Sequence, residues 1–233
     1  MAASPCHDQA GPIMWKAVSL TYVEYPAGDL IGKLLAYSSL MPVFIGVSFV
    51  TLILFKRDLH TMSFFFGLVL NEITSLAIKY SVRQPRPCRS SEDLATEFGM
   101  PSSHAQFMGF FAVYFILLLN VRAYALSSSD RLWNIAISAE VAAIAIVVSY
   151  SRIYLMYHTT MQVLVGFLLG TLLGVLWFLV NRLFLAPKFF TIASWRISEY
   201  FWIRDSSLIP NVMRFEYASS RGESRLRRKK STT

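Results

Sequence analysis

Five stretches of the chain stay apolar for long enough to cross a bilayer: about 34–55, 61–79, 104–121, 132–150 and 161–181. They lack the regular polar stripe that a helix at the surface of a water-soluble protein keeps. The pattern therefore predicts an all-α fold, a polytopic transmembrane helix bundle with about five spanning helices. It divides the chain into an N-terminal segment (1–32), a transmembrane core (33–184) and an interfacial segment with a basic tail (185–233). The polar breaks agree with that division. Pro26-Ala27-Gly28-Asp29 is a turn signal leading into the first helix at the membrane surface. Lys56-Arg57-Asp58 ends the first span, and Pro85 and Pro87 forbid helix beyond the second. Ser102 or Ser103 is placed to N-cap the third, and Ser127-Ser128-Ser129-Asp130 to cap the fourth. His158 opens the fifth.

Inside the spans, Asn71 and Glu72 are polar at a depth where polar groups are costly, so they are expected to face the bundle, and Glu140 is expected to face the bundle or lie near the interface. Gly166, Gly170 and Gly174 repeat at the small-xxx-small interval that lets two helices approach closely. After Arg182, Trp195, Arg196, Tyr200, Phe201, Trp202 and Arg204 mix aromatic and basic character, which suits the headgroup region. The end of the chain, around Arg225 to Lys230, reads as an irregular basic tail. Residues 1–32 contain no long apolar run, so no cleaved signal peptide is expected.

Composition changes this picture little. The net charge of +8 invites a nucleic-acid partner, but half of the 22 Lys and Arg lie after residue 181, and topology accounts for them better. No nucleic acid is expected; the partners are the bilayer and a membrane lipid. Five spans put the termini on opposite sides. The Lys56-Arg57 turn, the Arg122–Arg131 connector and the basic C-terminus share one side, which the positive-inside rule makes cytosolic. The N-terminus and the polar clusters described next then face a lumen or the exterior. Cys6 and Cys88 fall on that side too, compatible with a disulfide or with two separate thiols. Two cysteines exclude a disulfide scaffold or a cysteine zinc site.

The chemistry gathers at the ends of spans. Lys79 and Arg86 follow the second span, Ser102, Ser103 and His104 open the third, and Arg152 and His158 lie between the fourth and fifth. Three fixed cations suit a phosphate, whose anionic oxygens otherwise repel a nucleophile. Backbone amides at a helix start are ready anion donors. Two imidazoles divide the remaining work: one attacks phosphorus and the other protonates the leaving oxygen. Residue type and spacing alone do not assign which does which. Asp and Glu form no cluster suited to magnesium, so the charge is expected from side chains, with no metal and no cofactor.

Lys79-x6-Arg86-Pro87, Pro101-Ser102-Ser103-His104 and Ser151-Arg152-x5-His158 occur in the order found in the type-2 phosphatidic acid phosphatase (lipid phosphate phosphatase) superfamily, which the chain resembles. Ser103 stands where that family has Gly, and Gln162 where it has Asp. Residues 22–29, residues 207–211 and Gln162 itself resemble the dolichyl-diphosphatase branch. The resemblance implies that His158 is the nucleophile, His104 the general acid, and Lys79, Arg86, Ser102, Ser103 and Arg152 the phosphate-binding groups. Gln162, one helical turn from His158, inherits the ring-orienting role of the family's Asp. It further implies hydrolysis of the terminal phosphate of dolichyl (polyprenyl) diphosphate. The reaction would take place at the lumenal face of the endoplasmic reticulum membrane and recycle the carrier for N-glycosylation. The alternatives are a phosphatase of monophosphate lipids such as phosphatidate or sphingoid phosphate, and a non-catalytic lipid-binding member of the same fold. Arg83 and Arg89, outside the motifs, are candidates for holding a second phosphate. His7 and His60 carry no expected role.

Overall fold

The computed structural model describes residues 15–18, 23–26, 28–87, 98–122, 128–206 and 212–231. Cys6, His7, Cys88, Arg89, Ser127 and residues 207–211 lie outside the described residues, and with them the questions of a Cys6–Cys88 disulfide and of an Arg89 phosphate contact.

Among the described residues, five helical segments are long and apolar enough to cross a membrane: Leu30–Lys56, Leu59–Val82, Ser103–Val121, Arg131–Tyr154 and Thr160–Ala193. They match the five spans read from hydropathy. Before them stands an element that hydropathy did not reveal, a short antiparallel hairpin of β1 (Trp15–Val18) and β2 (Val23–Pro26), with Trp15 opposite Pro26.

The first span is divided. Asp29 N-caps α1 (Leu30–Ser38) by accepting the Ile31 amide at 3.0 Å. The helix stops at Ser39, whose hydroxyl turns back onto the Ala36 carbonyl at 2.8 Å. It restarts as α2 (Met41–Lys56), with Pro42 in the first turn, where no amide donor is needed. α1 packs against β2 and α5, while α2 packs against α3. The division lets α1 carry the hairpin toward α5.

Asp58 caps α3 (Leu59–Val82) and receives the amide and hydroxyl of Thr61, each at 3.0 Å, together with the amide of Ser206 at 3.0 Å. Burial alone would raise this carboxyl. The bonds from Ser206 and Thr61 outweigh that effect and hold it below the usual carboxylate range. α4 (Ser103–Arg122), α5 (Ser128–Tyr154) and α6 (Thr160–Val180) complete the bundle. A π-helical stretch (Asn181–Leu185), α7 (Ala186–Ala193) and α8 (Arg196–Tyr200) follow.

The tight pair at the centre is α4 against α6. A Cβ on Gly166 would stand 2.7 Å from the Ser102 carbonyl, and one on Gly174 2.9 Å from the Phe110 carbonyl; one on Gly170 would overlap the Gln106 backbone. The glycine series thus serves packing. Asn71 is buried and fixes α3 to α4, its carbonyl and side-chain oxygens each accepting Gln106 Nε2 at 3.0 Å. Beyond it lies an aromatic core, with the Phe64 and Tyr114 rings 4.0 Å apart. His60 packs beside Tyr114 and Phe189.

One expectation is narrowed and one corrected. Glu140 is exposed on α5, so of its two alternatives the bundle-facing one does not hold. The inward stripe of that helix is Val141, Ile144, Ala145 and Val148, and at about 3.6 residues per turn it leaves Glu140 a quarter turn off the contact. The basic tail is not irregular: Val212–Ser231 form α9. Glu216 ties that helix down by accepting Lys56 Nζ at 2.5 Å and Arg204 at 2.8 Å, and Glu223 pairs with Arg227 one turn on.

Candidate active site

The site is built from the loop after α3, the start of α4 and the α5–α6 turn. Lys79 lies in the last turn of α3, which ends at Arg83 with a left-handed φ of 49°. Gln84, Pro85 and Arg86 then run extended. The chain returns at Gly99, whose amide donates to the Gln84 carbonyl at 2.7 Å, and enters α4 through Pro101 and Ser102.

Arg152 ends α5 and is buried. Its carbonyl accepts the amides of both Tyr157 and His158 at 3.1 Å, drawing the α5–α6 turn tight, with Met156 at φ 56°. Thr159 and Gln162 form a reciprocal capping box that starts α6 directly after His158.

His158 is buried, and its Nδ1 lies 2.8 Å from the Gly99 carbonyl and 3.3 Å from Gln162 Oε1. Both neighbours are acceptors, so Nδ1 carries the ring proton and Nε2 the lone pair. Burial, reinforced by the charges of Arg152, Arg86 and Lys79, pushes the imidazole down to about 3. His158 is therefore neutral at pH 7, with the Nε2 lone pair unprotonated. His104, in the first turn of α4, sits among the same charges and near His158.

Gln162 lies at the centre of the constellation and is almost fully buried. Its Oε1 accepts the Thr159 amide at 3.2 Å. Its Nε2 donates to Gln84 Oε1 at 3.2 Å and to the Pro85 carbonyl at 3.0 Å. Its own carbonyl accepts the Ser102 amide at 3.2 Å. The shorter acceptor at the His158 ring is thus the Gly99 carbonyl. Gln162 acts chiefly as a bracket that draws 84–85, 99, 102 and 158 together. A Cβ on Gly99 would stand 2.7 Å from Gln162 Nε2, so this close approach requires glycine. Sequence reasoning missed Gln84 and Gly99. The available signal was an unexplained glycine in a loop two residues before the Pro101 motif.

The expected anion-binding amides are reduced in number, because the Ser102 amide is engaged by Gln162. Those of Ser103 and His104 lie in the first turn of α4, where no intrahelical acceptor exists. The Ser102 hydroxyl is buried and, among the described residues, has no hydrogen-bond partner, so it does not cap the helix. Ser103 Oγ accepts from Ser75 at 3.3 Å. Arg83 is exposed, donates Nε to the Tyr80 carbonyl at 3.0 Å and lies 6.0 Å from the Phe98 ring, apart from the buried cluster. A cavity of about 330 Å³ between α2, α3 and α4 opens beside His104 and Ser103. Its walls are mostly apolar (Pro42, Val43, Phe65, Leu68, Phe107), and Glu72 lines it as well.

Comparison with known proteins agrees with this architecture. The sequence profile described as PAP2 superfamily matches residues 60–184. The chain is 52% identical over 223 residues to human Dolichyldiphosphatase 1, covering 94% of each chain. It is 40% identical over 215 residues to Lipid phosphate phosphatase gamma of Arabidopsis thaliana, covering 90% of this chain and 93% of the relative. It is 32% identical over 207 residues to Dolichyldiphosphatase of Saccharomyces cerevisiae, covering 84% of each. No solved structure matches it significantly.

Proposed function

Because the chain belongs to the PAP2 superfamily, we propose that it is a membrane-embedded hydrolase that removes the terminal phosphate of a polyprenyl diphosphate such as dolichyl diphosphate. The observation that carries the reading is the state of His158: a neutral imidazole with Nδ1–H on the Gly99 carbonyl and the Nε2 lone pair kept unprotonated in the field of three side-chain cations. The names of the relatives support the diphosphate, and the apolar cavity beside His104 suits a lipid chain entering from the bilayer.

His158 Nε2 attacks the terminal phosphorus. The bond from phosphorus to the bridging oxygen breaks, and His104 gives that oxygen its proton as the lipid monophosphate leaves. Lys79, Arg86 and Arg152, with the first-turn amides of Ser103 and His104, hold the charge that spreads over the equatorial oxygens. Water then attacks the phosphohistidine, His104 takes back a proton, and inorganic phosphate departs. Ser103 lines the cavity beside His104, and Ser102 is buried beneath it at the start of α4. Arg83, outside the cluster, is the described candidate for the phosphate that stays with the lipid. Every step above uses side chains, backbone amides and water. The distribution of basic residues supports an endoplasmic reticulum orientation with site and N-terminus lumenal and C-terminus cytosolic, the placement needed to recycle a glycan carrier.

The test is phosphate release by purified protein from polyprenyl diphosphate, polyprenyl monophosphate, phosphatidate and a sphingoid phosphate, with chelator present. The expected result is preference for the diphosphate and an acid-labile phosphoenzyme that His158→Ala abolishes. Full activity of His158→Ala would overturn the assignment, and preference for phosphatidate would favour the monophosphate alternative.

A further inference from the structure

Glu72 stands inside the second span, where an ionisable side chain is costly and points to a function. It is half-buried and ends a stripe of α3 formed by Phe65, Leu68, Val69 and Glu72, which walls the cavity between α2, α3 and α4. From α4, Ser103, His104 and Phe107 face that stripe, and α2 adds Pro42 and Val43. The two helices are tied one turn after Glu72, where Ser75 Oγ donates to Ser103 Oγ at 3.3 Å. Among the described residues that line this mostly apolar space, Glu72 and His104 are the ionisable ones. Lys79 lies two turns along the same face of α3, and its charge attracts that of Glu72.

A space of low polarity penalises a net charge more than a compensated pair. A carboxyl and an imidazole facing one such space therefore hold a single proton between them. Carboxylate with imidazolium and carboxylic acid with neutral imidazole both carry no net charge. The general-acid step needs that proton on His104 while Lys79, Arg86 and Arg152 act on the same ring. A negative neighbour meets the need, since an opposite charge favours the charged form of its partner.

We propose that Glu72 is a positioning residue for the proton of His104: the two side chains share one proton, and the imidazole delivers it to the bridging oxygen. The proposal rests on the reading of His104 as the general acid. In the first half-reaction the bond from phosphorus to the bridging oxygen breaks. That oxygen keeps the electron pair and takes the proton from the His104 ring, leaving a carboxylate and a neutral imidazole. In the second, the oxygen of water bonds to phosphorus, the bond to His158 Nε2 breaks, and one water proton returns to the pair.

The experiment uses the full chain in lipid nanodiscs and two substrates. One is polyprenyl diphosphate; the other is para-nitrophenyl phosphate, whose leaving group departs without a proton. Wild type is compared with His104→Ala, Glu72→Gln, Glu72→Leu and the combination of His104→Ala with Glu72→Gln, by kcat/KM and Tm. Glu72→Gln is expected to lower kcat/KM for the diphosphate by about ten- to hundredfold, and for the aryl phosphate by less than about threefold. Glu72→Leu takes a polar group out of an apolar wall, so it is expected to show the same selective loss without a fall in Tm; it carries the test if the Gln variant does not fold. In the His104→Ala background Glu72→Gln is expected to cost nothing further, because groups that act as a unit are not additive. Wild-type turnover of the diphosphate by the Glu72 variants, or full additivity with His104→Ala, would overturn the proposal. So would equal losses on both substrates, the result if Glu72 acted on phosphate binding through Lys79. A His104→Ala variant that loses nothing, or loses equally on both substrates, would instead remove the general-acid reading on which the proposal stands.

Discussion

Replacing Gln162 with the carboxylate that its family position carries should harm this enzyme. Gln162 Nε2 donates to Gln84 Oε1 at 3.2 Å and to the Pro85 carbonyl at 3.0 Å, in a place that is almost fully buried. A carboxylate accepts hydrogen bonds but donates none, so Gln162→Glu turns an acceptor toward two acceptors. Each buried group left unsatisfied costs about 1–3 kcal/mol. The bracket then opens, the Gly99 carbonyl loses its register on His158, and part of the loss appears in the transition state. A fall in kcat/KM of about ten- to hundredfold, about 1.4–2.8 kcal/mol, is expected. Gln162→Asp keeps the charge and adds a shorter reach, so it should do no better. If Gln162 were instead the principal orienting acceptor of the ring, the opposite would hold. A charged acceptor makes a bond roughly twice as strong and supports positive charge on the imidazole. The assay is steady-state phosphate release from polyprenyl diphosphate, paired with trapping of the phosphoenzyme and a Tm for each variant. A carboxylate variant as fast as wild type or faster refutes the bracket.

Gly99→Ala should reproduce the loss, since its Cβ would meet Gln162 Nε2 at 2.7 Å; wild-type turnover would show that the loop yields. Stability should depend on pH through His158: with about 3 in the folded state against an ordinary 6.5, its contribution is complete above pH 6.5 and declines as pH falls from 6.5 toward 3. By pH 5 about 2 kcal/mol is lost, so the Tm difference between wild type and His158→Asn should shrink on going from pH 7 to pH 5. If Arg83 holds the lipid-side phosphate, Arg83→Gln should lower kcat/KM for a diphosphate about tenfold and leave a monophosphate lipid nearly unchanged; equal losses on both would mark a general effect. Gly170→Leu should cost about 3 kcal/mol by driving α6 off the Gln106 backbone, measured as lost folded yield against Gly46→Ala, whose Cβ meets nothing within 4 Å.

Hydropathy determined the number of spans, because a bilayer fixes the length and composition of anything that crosses it, whatever packs beside it. Motif spacing picked out Lys79, Arg86, His104, Arg152 and His158 as the candidates for the chemistry, and the two spans that separate their loops bring them to one face. Local rules also sufficed for the turn that leads through Asp29 into the first helix, and the glycine interval marked the packing face of α6, though not its partner α4. Tertiary structure decided what depends on distant partners. The carbonyl that orients His158 belongs to Gly99, a residue with no side chain to advertise it. Gln162 is a bracket because Gln84 and Pro85, nearly eighty residues earlier, lie against it. The break at Ser39, which sends α1 toward α5, brings the hairpin amide of Glu24 onto Tyr157. Glu140 lies off the α5 contact stripe, and Glu216 of α9 meets Lys56 and Arg204; which neighbours a helix meets is information that hydrophobic periodicity along one helix does not carry.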